Sequence, residues 1–115
     1  MAISEFETKR WEKAIEAFMA KRRPPAHIRN ELDLGYRIVN QSVELFEIRP
    51  LWRNPSEKME TPLAKATYVK TQKLWKVFWQ RADMQWHSYA PMPAVQSLEE
   101  FLDLVAEDKH ACFFG

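Results

Sequence analysis

Between Ala64 and Tyr89 the chain alternates apolar and polar residues in three successive runs. They read Ala64-Lys65-Ala66-Thr67-Tyr68-Val69-Lys70, Leu74-Trp75-Lys76-Val77-Phe78-Trp79-Gln80-Arg81 and Gln85-Trp86-His87-Ser88-Tyr89. Successive side chains of a strand point to opposite sides, so this spacing calls for a sheet with two unlike faces rather than a helical stripe. A turn through Gln72-Lys73 in the simplest register sets Ala66 opposite Trp79 and Tyr68 opposite Val77, small against large on one face. The other face then carries Lys65, Thr67 and Val69 beside Lys76, Phe78 and Gln80.

An earlier pair of runs behaves in the same way. Leu32, Leu34, Tyr36 and Ile38 alternate with Asp33, Gly35 and Arg37, and Val43 and Leu45 alternate with Glu44, Phe46 and Ile48. A tight loop at Asn40-Gln41 makes these a hairpin. Its register places Ile38 against Val43 and Tyr36 against Leu45 on the core face. On the opposite face Arg37 meets Glu44, and Gly35 meets Phe46, whose ring covers the bare glycine. Pro50 stops the strand or marks an edge, and Asn54 to Lys58 reads as loop.

Two capping boxes frame these strands. Ser4-Glu5-Phe6-Glu7 opens a helix whose apolar stripe is Trp11, Ile15 and Phe18 and which Pro24-Pro25 ends. Ser97-Leu98-Glu99-Glu100 opens a closing helix with Leu98, Phe101, Leu102 and Val105 inward, after a Pro91-Met92-Pro93 linker. The predicted class is therefore α+β: an N-terminal helix, an antiparallel meander of about five strands and a C-terminal helix.

At 115 residues with 46% hydrophobic side chains, residues 1–115 are expected to form a single domain with its own core. One cysteine excludes a disulfide framework within the monomer. No apolar run opens the chain like a secretion signal or approaches membrane-spanning length, and the expectation is a soluble cytoplasmic protein with no membrane contact. The net charge of +1 gives no general pull toward nucleic acid. Basic residues gather at Lys21-Arg22-Arg23 and along the strands, acidic ones at Glu99, Glu100, Asp103, Glu107 and Asp108, which reads as a basic and an acidic element packed as neighbours.

Several segments resemble a family of small bacterial proteins catalogued as domain of unknown function 3024. They are Lys21-Arg22-Arg23-Pro24-Pro25, Leu34-Gly35-Tyr36-Arg37, the run from Phe46 to Pro55, Ala64 to Lys70, Trp75 to Tyr89, and Cys112-Phe113-Phe114-Gly115. The resemblance spans nearly the whole chain. It implies a stand-alone bacterial protein and carries no catalytic or ligand residue, because no activity is assigned to the family.

One candidate ligand-binding cluster lies at strand ends: Arg49, Arg53 and Arg81, with Glu47, Asp83 and His87 to orient them and Trp52 or Trp86 as an apolar wall. Arginine forks match carboxylate or phosphate oxygens, and His87 is the one side chain there suited to moving a proton at neutral pH. The structural reading of these residues, Glu47–Arg81 or Asp83–Arg49 ion pairs closing the sheet's end, is preferred. The aromatic and basic strands also suit stacking of single-stranded nucleic acid, but Trp75 and Trp79 read as core, leaving Phe46 and Phe78 as the outer rings. Phe46, Ile48, Val69 and Phe78 form an apolar outer patch that requires a cover: the Phe113-Phe114 tail or a second copy of the chain.

No metal site is expected, since His110, Cys112, His87 and His27 have no ligand spacing. No nucleophile elbow or glycine-rich phosphate loop occurs, and no cofactor is expected. The sequence thus points to binding rather than catalysis. The first expectation is a homodimer or a protein-binding module; the alternatives are a single-stranded nucleic-acid module and a small enzyme or anion binder using the strand-end cluster.

Overall fold

The structure, a computed structural model, describes residues 4–108 and Phe113. Helix α1 (Glu5–Arg22) leads into strands β1 (Asp33–Val39), β2 (Ser42–Pro50), β3 (Lys58–Val69), β4 (Leu74–Gln80), β5 (Trp86–Ser88) and β6 (Ala94–Val95), and helix α2 (Leu98–Glu107) follows. The antiparallel sheet runs β1-β2-β3-β4-β5, with β6 also paired to β4. This is the α+β class that the alternation and the caps predict. No helix of the described residues is long and apolar enough to cross a membrane.

Both helices begin as their sequences require. The Ser4 side chain accepts the Glu7 N–H at 3.1 Å, and the Ser97 side chain accepts the Glu100 N–H at 3.1 Å. Each satisfies one of the N–H groups that a helix start leaves without an internal acceptor. Arg23 caps α1 in an extended conformation ahead of Pro24. Beyond it, the Arg23 guanidinium donates twice to Asp33, at 2.7 and 2.8 Å, and fastens the helix end to the first strand.

The first hairpin has the predicted register, with Ile38 opposite Val43, Arg37 opposite Glu44 and Gly35 opposite Phe46. Asn40 takes φ 55° in the two-residue loop, a left-handed conformation that asparagine tolerates. The second hairpin is displaced from expectation by two residues. Ala64 faces Trp79, Ala66 faces Val77 and Tyr68 faces Trp75, because the turn takes in Lys70 to Lys73, with Lys73 at φ 53°. A slip of two returns every side chain to its predicted face.

Strand β3 begins earlier than the loop reading of Asn54 to Lys58 allows, since Lys58 pairs with Pro50 and Met59 with Arg49. It stays in register only through a bulge, where Leu45 faces Ala64 but Phe46 faces Pro62. Proline has no N–H for the ladder, and the extra residue, Leu63, turns into the core at 4% exposure. The last strands differ as well. β5 is shorter than the predicted Gln85 to Tyr89, and β6 takes the other half of β4's edge.

All of the helical stripes and one sheet face form one core. Trp11, Ile15 and Phe18 from α1 and Phe101, Leu102 and Val105 from α2 meet Val43, Leu45, Trp75 and Val77, with Tyr36 and Trp79 partly buried against them. Trp11 and Trp75 meet edge to face with centroids 4.6 Å apart. Ala64 and Ala66, both fully buried, keep the central strand low enough for the helices to approach. The acidic α2 lies beside the basic end of α1, where Lys21 and Arg22 share a groove with Glu99 and Asp103.

Candidate functional site

The strand-end cluster divides into two parts. β2 and β4 run parallel two strands apart, so their C-terminal ends lie at one end of the sheet. β2 continues farther, however: Arg49 still pairs with Met59, whereas the β3–β4 ladder stops at Ala64 and Trp79. Strand rise and spacing put the Cα atoms of Arg49 and Arg81 roughly 14 Å apart.

In the first part, Arg49 bonds to the Glu47 carboxylate at 3.4 and 3.5 Å, and Glu47 is the more enclosed partner. Arg53 stacks over Trp52 at 5.2 Å, and Trp52 itself stands 85% exposed in the β2–β3 loop. In the second part, Asp83 meets His87 Nε2 at 2.8 Å and accepts the Gln85 N–H at 2.9 Å. The Gln85 bond first, and His87 second, hold the Asp83 carboxyl below its usual range. Arg81 lies over the Trp79 ring at 5.7 Å.

The expected Glu47–Arg81 and Asp83–Arg49 pairs therefore do not form. Each acid finds its partner within its own hairpin, because a local partner needs no bridging across the intervening strand. Among the described residues, neither part bonds to the other, and His87 is hydrogen-bonded to Asp83 and to no hydroxyl or thiol. His110 and Cys112, weighed above as metal ligands, lie outside the described residues. Among those described, no group of three or more His, Cys, Asp and Glu gathers.

Trp86 belongs to a different surface. It pairs with Gln80, on the sheet face away from the helices, where Lys65 Nζ sits 5.1 Å from the Phe78 ring and 5.0 Å from that of Trp86. On the same face Arg37 covers Phe46 at 4.5 Å and is bonded to Glu60. Phe46 is buried yet stands outside the helix-side core, which is what an outer-face ring under its own cation would do. The tail does not cover this face through Phe113, which packs on Tyr89 at 4.8 Å within the core. Phe114 lies outside the described residues.

A cleft of about 510 Å³ opens where the start of α1, the β3–β4 turn and the start of α2 converge. Trp11, Tyr68 and Trp75 wall it, and Arg10, Lys70 and Lys73 stand among its polar residues. In the sequence these tryptophans read only as core and the lysines only as a charged run. The three segments are far apart along the chain, so nothing in local spacing announces that they meet. None of Arg49, Arg53, Arg81, Glu47, Asp83, His87, Trp52 or Trp86 lines this cleft.

Helices on one face of an antiparallel meander and an open, mixed aromatic and charged face on the other define a two-layer α+β protein. The family model described as Domain of unknown function (DUF3024) matches residues 3–115, and the chain belongs to that family. No curated protein and no solved structure matches it.

Proposed function

We propose that the protein is an interaction module that self-associates through the open face of its sheet. The observation that carries this reading is the one-sided distribution of the helices: both pack on one face, while the other holds Phe46, Ile48, Pro62, Phe78 and Trp86 in adjacent strands. An antiparallel sheet tolerates one wet face, but such faces are ordinarily polar, and aromatic residues concentrated there favour a partner. A second copy is the occupant whose chemistry fits. The face carries Arg37, Lys65 and Lys76 together with Glu44 and Glu60, so a two-fold arrangement can oppose unlike charges around an apolar centre.

The same acids weigh against nucleic acid, because Glu44 and Glu60 on this face repel a phosphate backbone. Catalysis has less support, because among the described residues no hydroxyl or thiol is hydrogen-bonded to the Asp83–His87 pair. Sedimentation velocity of the native protein and of Phe78→Glu tests the proposal. A dimer that the substitution converts to a folded monomer is the expected result. A native monomer across the micromolar range ends the reading, and salt-sensitive binding of single-stranded DNA or RNA by that monomer would replace it.

A further inference from the structure

We propose that the cleft between α1, the β3–β4 turn and α2 binds a small organic oxyanion, a carboxylate or a phosphate ester, through the indole N–H groups of Trp11 and Trp75. The two rings are 8% and 4% exposed. Among the described residues neither N–H makes a hydrogen bond, yet no buried side-chain nitrogen or oxygen is left without a partner there. Each indole nitrogen therefore keeps some exposure, and both rings line the cleft. An indole nitrogen donates and never accepts, so two such groups in one wall call for an acceptor in the ligand.

The rest of the wall has the same character. The α2 start contributes N–H groups at Leu98 and Glu99 that have no acceptor within the helix, since the Ser97 side chain takes only that of Glu100. Arg10 and Lys73 supply positive charge and form no ion pair among the described residues. The volume falls in the range of small-molecule sites. Glu7 and Glu99 stand at the same cleft and set a limit on the ligand, because they repel a polyanion. The occupant is thus a molecule with one anionic group directed at the indoles, its remaining part bearing donors or positive charge toward the two glutamates. This site is independent of the open sheet face, which lies across the sheet from it.

The five tryptophan indole N–H signals in a proton–nitrogen correlation spectrum, assigned by single Trp→Phe substitutions, report on the site directly. Acetate, inorganic phosphate and triphosphate are titrated at constant ionic strength, with chloride as the reference. The signals of Trp11 and Trp75 are expected to move saturably with acetate or phosphate while that of Trp52 stays fixed, and which of the two binds more tightly separates carboxylate from phosphate. Arg10→Gln and Lys73→Asn, the latter chosen because asparagine accepts the left-handed turn, should each weaken binding about tenfold with the spectrum otherwise native. Trp11 and Trp75 signals that are unmoved by millimolar acetate and phosphate, or that move equally with chloride, overturn the proposal. Tighter binding of triphosphate than of acetate and inorganic phosphate overturns the role given to Glu7 and Glu99. Phe78→Glu should leave this binding intact, so the two proposals fail separately.

Discussion

The ring of Phe46 occupies the place where a side chain on Gly35 would stand. The two residues face each other across the β1–β2 ladder, and a Cβ on Gly35 would lie 2.5 Å from Cε2 and 2.8 Å from Cζ of that ring. Phe46 has little room to yield, since Arg37 lies over it. Gly35→Ala should therefore destabilise the protein by about 1–2 kcal/mol, the overpacking cost less the entropy that alanine recovers. Urea denaturation measures this. Combining it with Phe46→Leu should cost less than the two single changes added together, because the smaller side chain removes the clash.

Asp33 accepts three hydrogen bonds at the edge of the sheet. Its carboxylate receives both Arg23 bonds and the Leu34 N–H at 2.8 Å. The Arg23 bond is the main reason its pKa lies below the usual 3.8, and burial opposes the shift. A carboxyl depressed in the folded state contributes stability above its unfolded pKa and loses it as pH falls through the folded value. The contribution should be complete at neutral pH and fade only below the ordinary aspartate range. Asp33→Ala strips the acceptor from the Leu34 N–H, at a cost of about 1–3 kcal/mol. The separation between the melting curves of the variant and the native protein should narrow as pH is lowered, since protonation weakens the Arg23 pair while a neutral carboxyl still accepts from the Leu34 N–H. Curves that stay equally separated at acid pH would refute this account.

Ala66 is fully buried between Val43 and Val77 on the two neighbouring strands. Ala66→Leu adds volume where the helices cross the sheet and should destabilise by about 1–3 kcal/mol. A stability gain would mean that the layer holds an unfilled cavity.

Arg81→Lys keeps the charge and removes the guanidinium fork. Since Arg81 stacks on Trp79 and forms no ion pair with Glu47, the melting temperature should change little, by the equivalent of about 0.5–1 kcal/mol at most. A large drop would restore the closed network at the sheet's end.

What could be read beforehand followed from short-range rules. Both serine N-caps, the stop at Pro24-Pro25 and the Asn40-Gln41 turn depend on neighbouring residues, and each lies where the spacing puts it. The assignment of Trp11, Ile15, Phe18, Leu45, Trp75, Phe101 and Leu102 to one core followed from two periodicities, and these hold for any packing that buries the apolar faces. The second hairpin marks the limit of that reasoning. Alternation has a period of two, so it cannot distinguish a turn at Gln72-Lys73 from the longer one that forms, and only pairing along the whole of β3 selects it.

The strand-end cluster and the cleft lie past that limit. Glu47 and Asp83 were legible as charges needing partners, and they take near neighbours, Arg49 and His87, whereas the separation of Arg49 from Arg81 follows from how far β2 runs past β4. The indole walls of Trp11 and Trp75 were legible as buried rings, whereas the cleft they wall emerges only when α1, the β3–β4 turn and α2 converge. By itself, the sequence determined which residues form each element and which face each one hides, because those follow from backbone periodicity and local hydrogen bonding. Tertiary structure alone decided which polar groups meet and which are left open, because those depend on contacts between segments whose separation along the chain carries no record of their distance in space.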